Sequence, residues 1–268
     1  MKKFSAPFDL TGRVFLIVGG AQFLGRDMAT ALSEAGAEGI ITSRDLSRAE
    51  KTAKEISERS GRTVRGWMLD ACDESAIQSV LKRVEQEFGR LDILVNNVGG
   101  GAGSMTQSTA LETRSLEAWE LLQRTNVTAP FLVCKHAAPL MKRQRTGSII
   151  NIASIAGLVG RDRRVYPKEM AAQSIDYAAA KGAVIAMTRD LAALFGPFGV
   201  RVNVISPGGF ERGQPPAFIQ AYSAKVPLGR MGRDGHDLCG PVLFLASDAS
   251  AYVTGHNLVV DGGFTAWQ

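Results

Sequence analysis

A doubly wound α/β fold, one parallel sheet of about seven strands in a single domain, is what this 268-residue sequence predicts. Three observations predict it. Short apolar runs rich in β-branched residues alternate with segments of helical periodicity along the whole chain. The runs are apolar on both faces, as strands buried between two helical layers must be. No repeat, low-complexity tract or linker divides the chain, so residues 1–268 read as one domain with a short N-terminal arm over 1–10.

The first run, Val14-Phe15-Leu16-Ile17-Val18, enters the turn Gly19-Gly20-Ala21-Gln22-Phe23-Leu24-Gly25, and an amphipathic helix follows over residues 26–36. Strand, glycine turn and helix in that order are the context of a dinucleotide site. The turn lets backbone approach a pyrophosphate, and the helix start offers free N–H groups and partial positive charge. The second strand spans residues 39–44, with a helix over 47–59. An NAD site places a carboxylate at the end of this strand for the ribose 2′-hydroxyl. Here Ser43 and Arg44 stand there, and a guanidinium suits a 2′-phosphate. Asp45, one place on, argues the other way. NADP(H) is the expected cofactor, with NAD(H) as the alternative.

The third strand, residues 63–69, ends at Asp70-Ala71, on the edge where open parallel sheets bind ligands. Asp70 can meet an adenine amino group there or cap the next helix. The fourth strand, 91–95, opens into Asn96-Asn97-Val98-Gly99-Gly100-Gly101-Ala102-Gly103, a loop bordering the same site. Residues 116–140 read as one long helix that contains Asn126, a weak helix former. Strands at 148–153, 200–205 and 257–260 complete the sheet; the first of these leads to Ser154 and the second to Ser206-Pro207-Gly208-Gly209.

Ser174-Ile175-Asp176-Tyr177-Ala178-Ala179-Ala180-Lys181 begins a helix that runs to about residue 195. Tyr177 and Lys181 are one turn apart on the same face. A free phenol titrates at about 10 and is a poor acid or base at neutral pH. A neighbouring ammonium is expected to lower that value, so the pair can pass a proton to or from a substrate oxygen.

Composition sets the outer bounds. The net charge is +5 with the basic residues dispersed, and no nucleic-acid motif accompanies them. Three scattered cysteines, Cys72, Cys134 and Cys239, form neither a disulfide framework nor a metal-ligand pattern, so no metal site is expected. There is no signal-like or membrane-length apolar run. A soluble cytoplasmic protein is expected, acting on a small molecule without nucleic-acid or membrane partners.

Taken together, the chain resembles the single-domain soluble branch of the short-chain dehydrogenases/reductases, from about Phe8 to Ala266. The resemblance rests on the glycine turn, Asn96-Asn97-Val98-Gly99, Asn126, Ser154, Tyr177-xxx-Lys181 and Pro207-Gly208 in family order. It rests also on Pro227-Leu228-Gly229-Arg230-Met231-Gly232, Phe244-Leu245-Ala246-Ser247-Asp248 and Val260-Asp261-Gly262-Gly263. It implies a Rossmann-type fold and a hydride transfer between a nicotinamide cofactor and a secondary alcohol or ketone. It implies Tyr177 as general acid/base, Lys181 as the group that holds the nicotinamide ribose and lowers the phenol pKa, and Ser154 as a hydrogen bond to the substrate oxygen. Asn126 would anchor a water that connects Lys181 to solvent. The cofactor would meet Gly19, Gln22, Phe23, Leu24, Gly25, Ser43, Arg44, Asp70, Ala71, Asn97, Val98, Gly99, Tyr177, Lys181, Pro207, Gly208 and Phe210. A symmetric homotetramer is implied as well. The rival readings are a 3-oxoacyl-thioester reductase and, from another class, a non-catalytic dinucleotide-binding redox sensor, against which the full Asn126, Ser154, Tyr177, Lys181 set counts.

Two departures from the family pattern stand out. Val18 and Phe23 replace a threonine and a glycine of the turn, so the Phe23 side chain must avoid the pyrophosphate or reshape the turn. The stretch between Ser154 and Tyr177 is lengthened by an insert at about 158–173 that carries Arg161, Arg163, Arg164 and Lys168 against Asp162 and Glu169. Tethered at both ends to catalytic positions, it is expected to hold an anionic polyhydroxy substrate, such as a sugar acid, through Arg161, Arg163 and Arg164.

Overall fold

The computed structural model describes residues 6–100, 110–168 and 170–267. The first five residues of the arm, Gly101, Ala102 and Gly103 of the glycine run, and Glu169 of the insert lie outside the described residues. Seven strands form one parallel sheet: β1 (Val14–Val18), β2 (Glu38–Ser43), β3 (Val64–Met68), β4 (Ile93–Asn96), β5 (Gly147–Ile152), β6 (Val200–Pro207) and β7 (Asn257–Val260). Their order is β3-β2-β1-β4-β5-β6-β7, and every neighbouring pair is parallel.

Period-two alternation along β1 shows why both faces had to be apolar. Phe15 and Ile17 pack with Met28, Ala29 and Leu32 of α1 (Phe23–Glu34), with Ala49, Ala53 and Ile56 of α2 (Leu46–Ser60) and with Val242 and Leu245. Val14, Leu16 and Val18 face the opposite layer: Ile77, Val80 and Val84 of α3 (Glu74–Phe88), and Val133, Ala137 and Leu140. Further helices are α4 (Leu116–Gln123), α5 (Ala129–Gln144), α6 (Ile175–Phe195), α7 (Pro216–Ser223) and α8 (Cys239–Ala246), to which Val242 and Leu245 belong. Among the described residues no helix is long and apolar enough to cross a membrane.

The topology positions the site. β2 and β3 lie to one side of β1, while β4 to β7 lie to the other. The chain therefore reverses direction across the sheet between β1 and β4, and a crevice opens at their carboxyl ends. Beneath it, Asn96 donates to Asn151 Oδ1 (2.8 Å) and Asn151 donates to Thr188 Oγ1 (2.9 Å), which ties β4, β5 and α6 together inside the core.

The long helix expected over 116–140 is interrupted. Residues Arg124–Thr128 form a π turn between α4 and α5, with Asn126 buried at its centre. A π turn accommodates a surplus residue, and such turns are rare and frequently sit at functional sites. The helix over 47–59 and the strand over 148–153 lie within a residue or two of their expected bounds. α7 and α8 were not anticipated.

Candidate active site

The glycine turn is held by contacts that leave no room for side chains. Gly19 has φ +79°, a left-handed conformation, and a Cβ there would lie 2.9 Å from Asn97 O. A Cβ on Gly25 would lie 2.3 Å from Gly19 O and 2.7 Å from Asn97 Nδ2, which itself donates to Gly19 O at 2.8 Å. Gly25 thus stands behind the turn as its packing surface. Phe23 adopts φ +48°, which a bulky side chain seldom does. The turn keeps its glycine-like path, and the half-exposed ring lies under the Arg212 guanidinium, 4.6 Å away, on the loop after β6.

At the end of β2 the acid and the base separate. Asp45 caps α2: its carboxylate accepts from Arg48 N at 3.0 Å and pairs with the Arg48 guanidinium at 3.4 Å. Arg48 also donates to Gln22 Oε1 at 3.0 Å, joining α2 to the glycine turn. Arg44 is exposed at the cavity rim, with no carboxylate partner among the described residues. Asp70 takes the local alternative in part. Its carboxylate accepts from Cys72 N (2.9 Å), while Asp73 caps α3.

One continuous cavity of about 1200 Å³ runs along the carboxyl edge of the sheet. It brings together Gly19, Gln22, Phe23, Leu24, Ser43, Arg44, Asp70, Ala71, Asn97, Val98 and Gly99 with Ser154, Tyr177, Lys181, Pro207, Gly208 and Phe210. Gly25 and Asn126 support its wall from behind. Asn126 Oδ1 accepts from Gly100 N (3.1 Å), and its Nδ2 donates to Leu122 O (3.1 Å). A Cβ on Gly99, where φ is +114°, would fall 2.2 Å from Asn126 Oδ1. The Asn126 side chain is thus committed to backbone.

Ser154 follows β5 and caps a short 3₁₀ turn, its Oγ accepting from Ala156 N at 3.1 Å. That turn lies against α6 because residue 157 is glycine; a Cβ there would meet Lys181 C and Gly182 N at 2.6 Å. Lys181 is buried, and its Nζ donates to Ile152 O at 3.0 Å, 5.6 Å from the centre of the Tyr177 ring. Burial pulls the Lys181 pKa down to about 8. The expectation that Lys181 lowers the Tyr177 pKa needs correcting. Burial dominates and pushes the phenol up; the Ser154 hydroxyl and the charge of Arg161 pull the other way, and Tyr166 adds a small upward push. The lysine has been drawn to the strand carbonyl instead.

The insert folds over the Tyr177 end of the cavity. Asp162 caps a short turn at Arg163–Val165 and is held by Arg164 (2.9 Å) and Lys225 (2.5 Å), so its pKa lies far below the usual carboxylate range. Arg161 lines the cavity. Arg163 and Arg164 do not: both are exposed, and Arg164 is spent on Asp162. Of the three arginines expected to meet substrate, the fold brings only Arg161 to the cavity. Sequence reasoning missed Arg48, Arg212 and the aromatic residues Phe218 and Tyr222. The last two are four apart on α7, a spacing that puts both rings on one face.

Nicotinamide-dependent oxidoreductases are built in this manner, with proton-transfer groups facing a dinucleotide crevice at the carboxyl edge of one parallel sheet. The family model described as enoyl-(acyl carrier protein) reductase matches residues 19–265. The 3-oxoacyl-[acyl-carrier-protein] reductase FabG of Escherichia coli (strain K12) is 34% identical over 259 residues, covering 95% of this chain and 98% of its own. The crystal structure of gox2181 superposes with a TM-score of 0.89 at 31% identity, covering 99% of this chain and 100% of that one. A gluconate 5-dehydrogenase from Burkholderia cenocepacia J2315, in complex with NADP and tartrate, gives 0.86 at 32% identity, with 98% of each chain covered. The chain belongs to the short-chain dehydrogenase/reductase family and is an oxidoreductase of that family.

Proposed function

We propose that this oxidoreductase prefers NADP(H) and interconverts a secondary alcohol and a ketone. The observation that carries the cofactor choice is at the end of β2: Asp45 is engaged by its own helix, while Arg44 faces the cavity without a carboxylate partner. The residues present fit a dinucleotide. The glycines at 19 and 25 let the turn close tightly on Asn97 and on itself, and the first turn of α1, with no side-chain cap, presents free N–H groups to a pyrophosphate. Gln22, Phe23 and Leu24 would border the pyrophosphate, and Ser43 and Arg44 the phosphorylated ribose. Asp70 and Ala71 would border the adenine. Asn97, Val98, Gly99, Pro207, Gly208, Phe210 and Lys181 would enclose the nicotinamide end. A bound nicotinamide supplies or accepts the hydride.

The chain supplies the proton and the geometry. Tyr177 gives its phenolic proton to the substrate oxygen in reduction and takes it back in oxidation. Ser154 donates to that oxygen as charge develops on it. Lys181, anchored to Ile152 O, holds the ribose and passes protons on. Asn126 keeps the β4 loop and the π turn in register, and any water-anchoring falls to the main chain there.

Charge-assisted contacts to a phosphate contribute about 1.5–3 kcal/mol. Arg44→Ala is therefore expected to weaken NADPH binding roughly ten- to hundredfold and to leave NADH nearly unchanged, read by cofactor titration. Equal losses for both cofactors would refute the assignment. The pH profile follows from the raised phenol. Reduction needs the protonated form, which burial favours, so its kcat/KM should stay level through neutral pH and fall only in alkali. Oxidation needs the basic form, so its kcat/KM should climb with pH across the same range. An oxidation profile already flat at neutral pH would show the phenol ionised there.

The similarity to FabG supports a second reading, reduction of a 3-oxoacyl thioester. We also assign a homotetramer, supported by the apolar side chains of Leu116, Trp119, Leu121, Phe131 and Leu194, which stay exposed on α4, α5 and α6. The cytoplasm is the proposed compartment, in keeping with cysteines that all carry free thiols.

A further inference from the structure

Around Tyr177 the cavity wall is made of two unlike sets of side chains. One is apolar and continuous. Val165 of the insert, Phe218 and Tyr222 of α7 and Phe264 near the C-terminus are buried in one cluster, with Tyr166 and Met170 packed on it. The rings of Tyr166, Phe218, Tyr222 and Phe264 follow one another at centroid distances of 5.1, 5.7 and 4.8 Å. The cluster is fixed at two points. Tyr222 accepts from Gly209 N at 2.6 Å beside the end of β6, and Lys225 holds Asp162 of the insert at 2.5 Å.

The second set consists of hydrogen-bond donors left unspent in that apolar wall. Arg161 donates to Gln173 O (2.5 Å) and to Gln173 Oε1 (3.2 Å), and has no carboxylate partner among the described residues. A guanidinium carries five N–H donors in a planar fork, so Gln173 orients the group and leaves donors for a ligand. Asp162, its sequence neighbour, cannot neutralise it, being taken by Arg164 and Lys225. The Tyr166 hydroxyl has no hydrogen-bond partner among the described residues, although its ring is packed in the cluster. Arg161, Tyr166 and Tyr177 line the same cavity, and the charge of Arg161 favours the ionised form of both phenols.

We propose that the substrate is a compact keto acid with an apolar or aromatic body, and the corresponding product a hydroxy acid. The carboxylate is taken by Arg161 and the Tyr166 hydroxyl, the ketone oxygen meets Tyr177 and Ser154, and the hydrocarbon part lies on Phe218 and Met170. The proposal rests on the oxidoreductase reading above. In reduction the keto carbon receives the hydride of the reduced nicotinamide. The C=O π pair moves to the oxygen, and the oxygen takes the Tyr177 proton. The ketone is reduced, the nicotinamide is oxidised and the carboxylate is unchanged. A sugar acid would share the anionic anchor but fits the wall poorly. Hydroxyls laid against Phe218 and Val165 lose their water partners and gain none. Arg163 and Arg164 do not line the cavity and so add no donors for those hydroxyls.

The test is initial-rate NADPH oxidation by the full chain on four matched compounds. These are an aryl- or alkyl-substituted keto acid, its methyl ester, a keto sugar acid of the same chain length, and a 3-oxoacyl thioester. The keto acid should give the highest kcat/KM, with a margin over the sugar acid of up to about a hundredfold. Arg161→Met should raise KM for the keto acid at least about tenfold more than for the ester, the loss expected of a charge-assisted bidentate contact. Tyr166→Phe should raise KM for the keto acid by less than Arg161→Met does, and again more for the acid than for the ester. NADPH titration of each variant confirms that the fold and the crevice are intact. A best rate with the sugar acid or the thioester, or equal KM changes for acid and ester, overturns the proposal. If NADPH binds and no ketone is turned over, neutral ones included, the underlying oxidoreductase reading fails and the proposal falls with it. Turnover of neutral ketones without preference for the acid sinks the substrate class alone.

Discussion

Tyr177→Phe is expected to lower turnover by roughly 10²–10⁴-fold, the range that general acid–base catalysis contributes. The ring stays, so the packing at the start of α6 and the cofactor crevice stay, and NADPH affinity should be nearly unchanged. What is lost is a single proton, which a phenol keeps at neutral pH and which burial holds more firmly still. Ser154 and Lys181 remain in the variant, but neither can replace the phenol. The Ser154 hydroxyl is a far weaker acid than a phenol, and the Lys181 ammonium is held at Ile152 O. The measurement is single-turnover reduction with NADPH bound, alongside an equilibrium titration of the cofactor. Turnover within a few-fold of the parent would remove Tyr177 from the chemistry. A fall matched by lost NADPH binding would show that the substitution damaged the crevice.

The largest expected effect on stability lies one residue earlier. Asp176, fully buried in the first turn of α6, receives Arg114 Nε at 3.0 Å and Nη2 at 2.6 Å on one carboxylate oxygen. Arg114 precedes α4, so the pair fastens that segment to the helix that carries Tyr177 and Lys181. Breaking a buried ion pair by removing one partner costs about 3–5 kcal/mol. Asp176→Ala should therefore lower the midpoint of thermal unfolding by roughly 6–20 °C for a chain of this size. A drop of less than about 3 °C would mean that water replaces the carboxylate without penalty. Asp176→Asn, which keeps the shape, should lie between the two.

The sheet was legible because each strand is a short apolar run ended by a glycine or a polar residue, and β1 shows this most clearly. The proton-transfer pair was legible because a four-residue spacing on a helix fixes which residues share a face. What escaped depends on distances between elements. The same spacing suggested an ammonium beside a phenol, but a strand carbonyl competes for Lys181 and wins. Nothing local says that Arg48 reaches Gln22 across 26 positions of chain. Nor does anything local say that Arg161 turns inward while Arg164 turns out, because Asp162 decides that, and Asp162 is in turn held by Lys225. Asp45 read as a rival to Arg44 until its place as the cap of α2 was known. The aromatic wall joins an insert, α7 and the C-terminal segment, three stretches that no window of sequence brings together.

The π turn at Asn126 has a consequence for how this region can change. One surplus residue in a helix with 3.6 residues per turn is a phase slip of roughly 100°. It sets the angle between the faces that α4 and α5 present, and it lets the Asn126 amide press on Gly99 at the mouth of the crevice. A side-chain replacement leaves the residue count intact, so it can empty the contact with Gly99 without removing the slip. A deletion or insertion of one residue between Arg124 and Thr128 would instead turn α5 against α3 and the sheet, carrying Val133, Ala137 and Leu140 out of the core. Chain length across these five positions is therefore under tighter physical constraint than their chemistry.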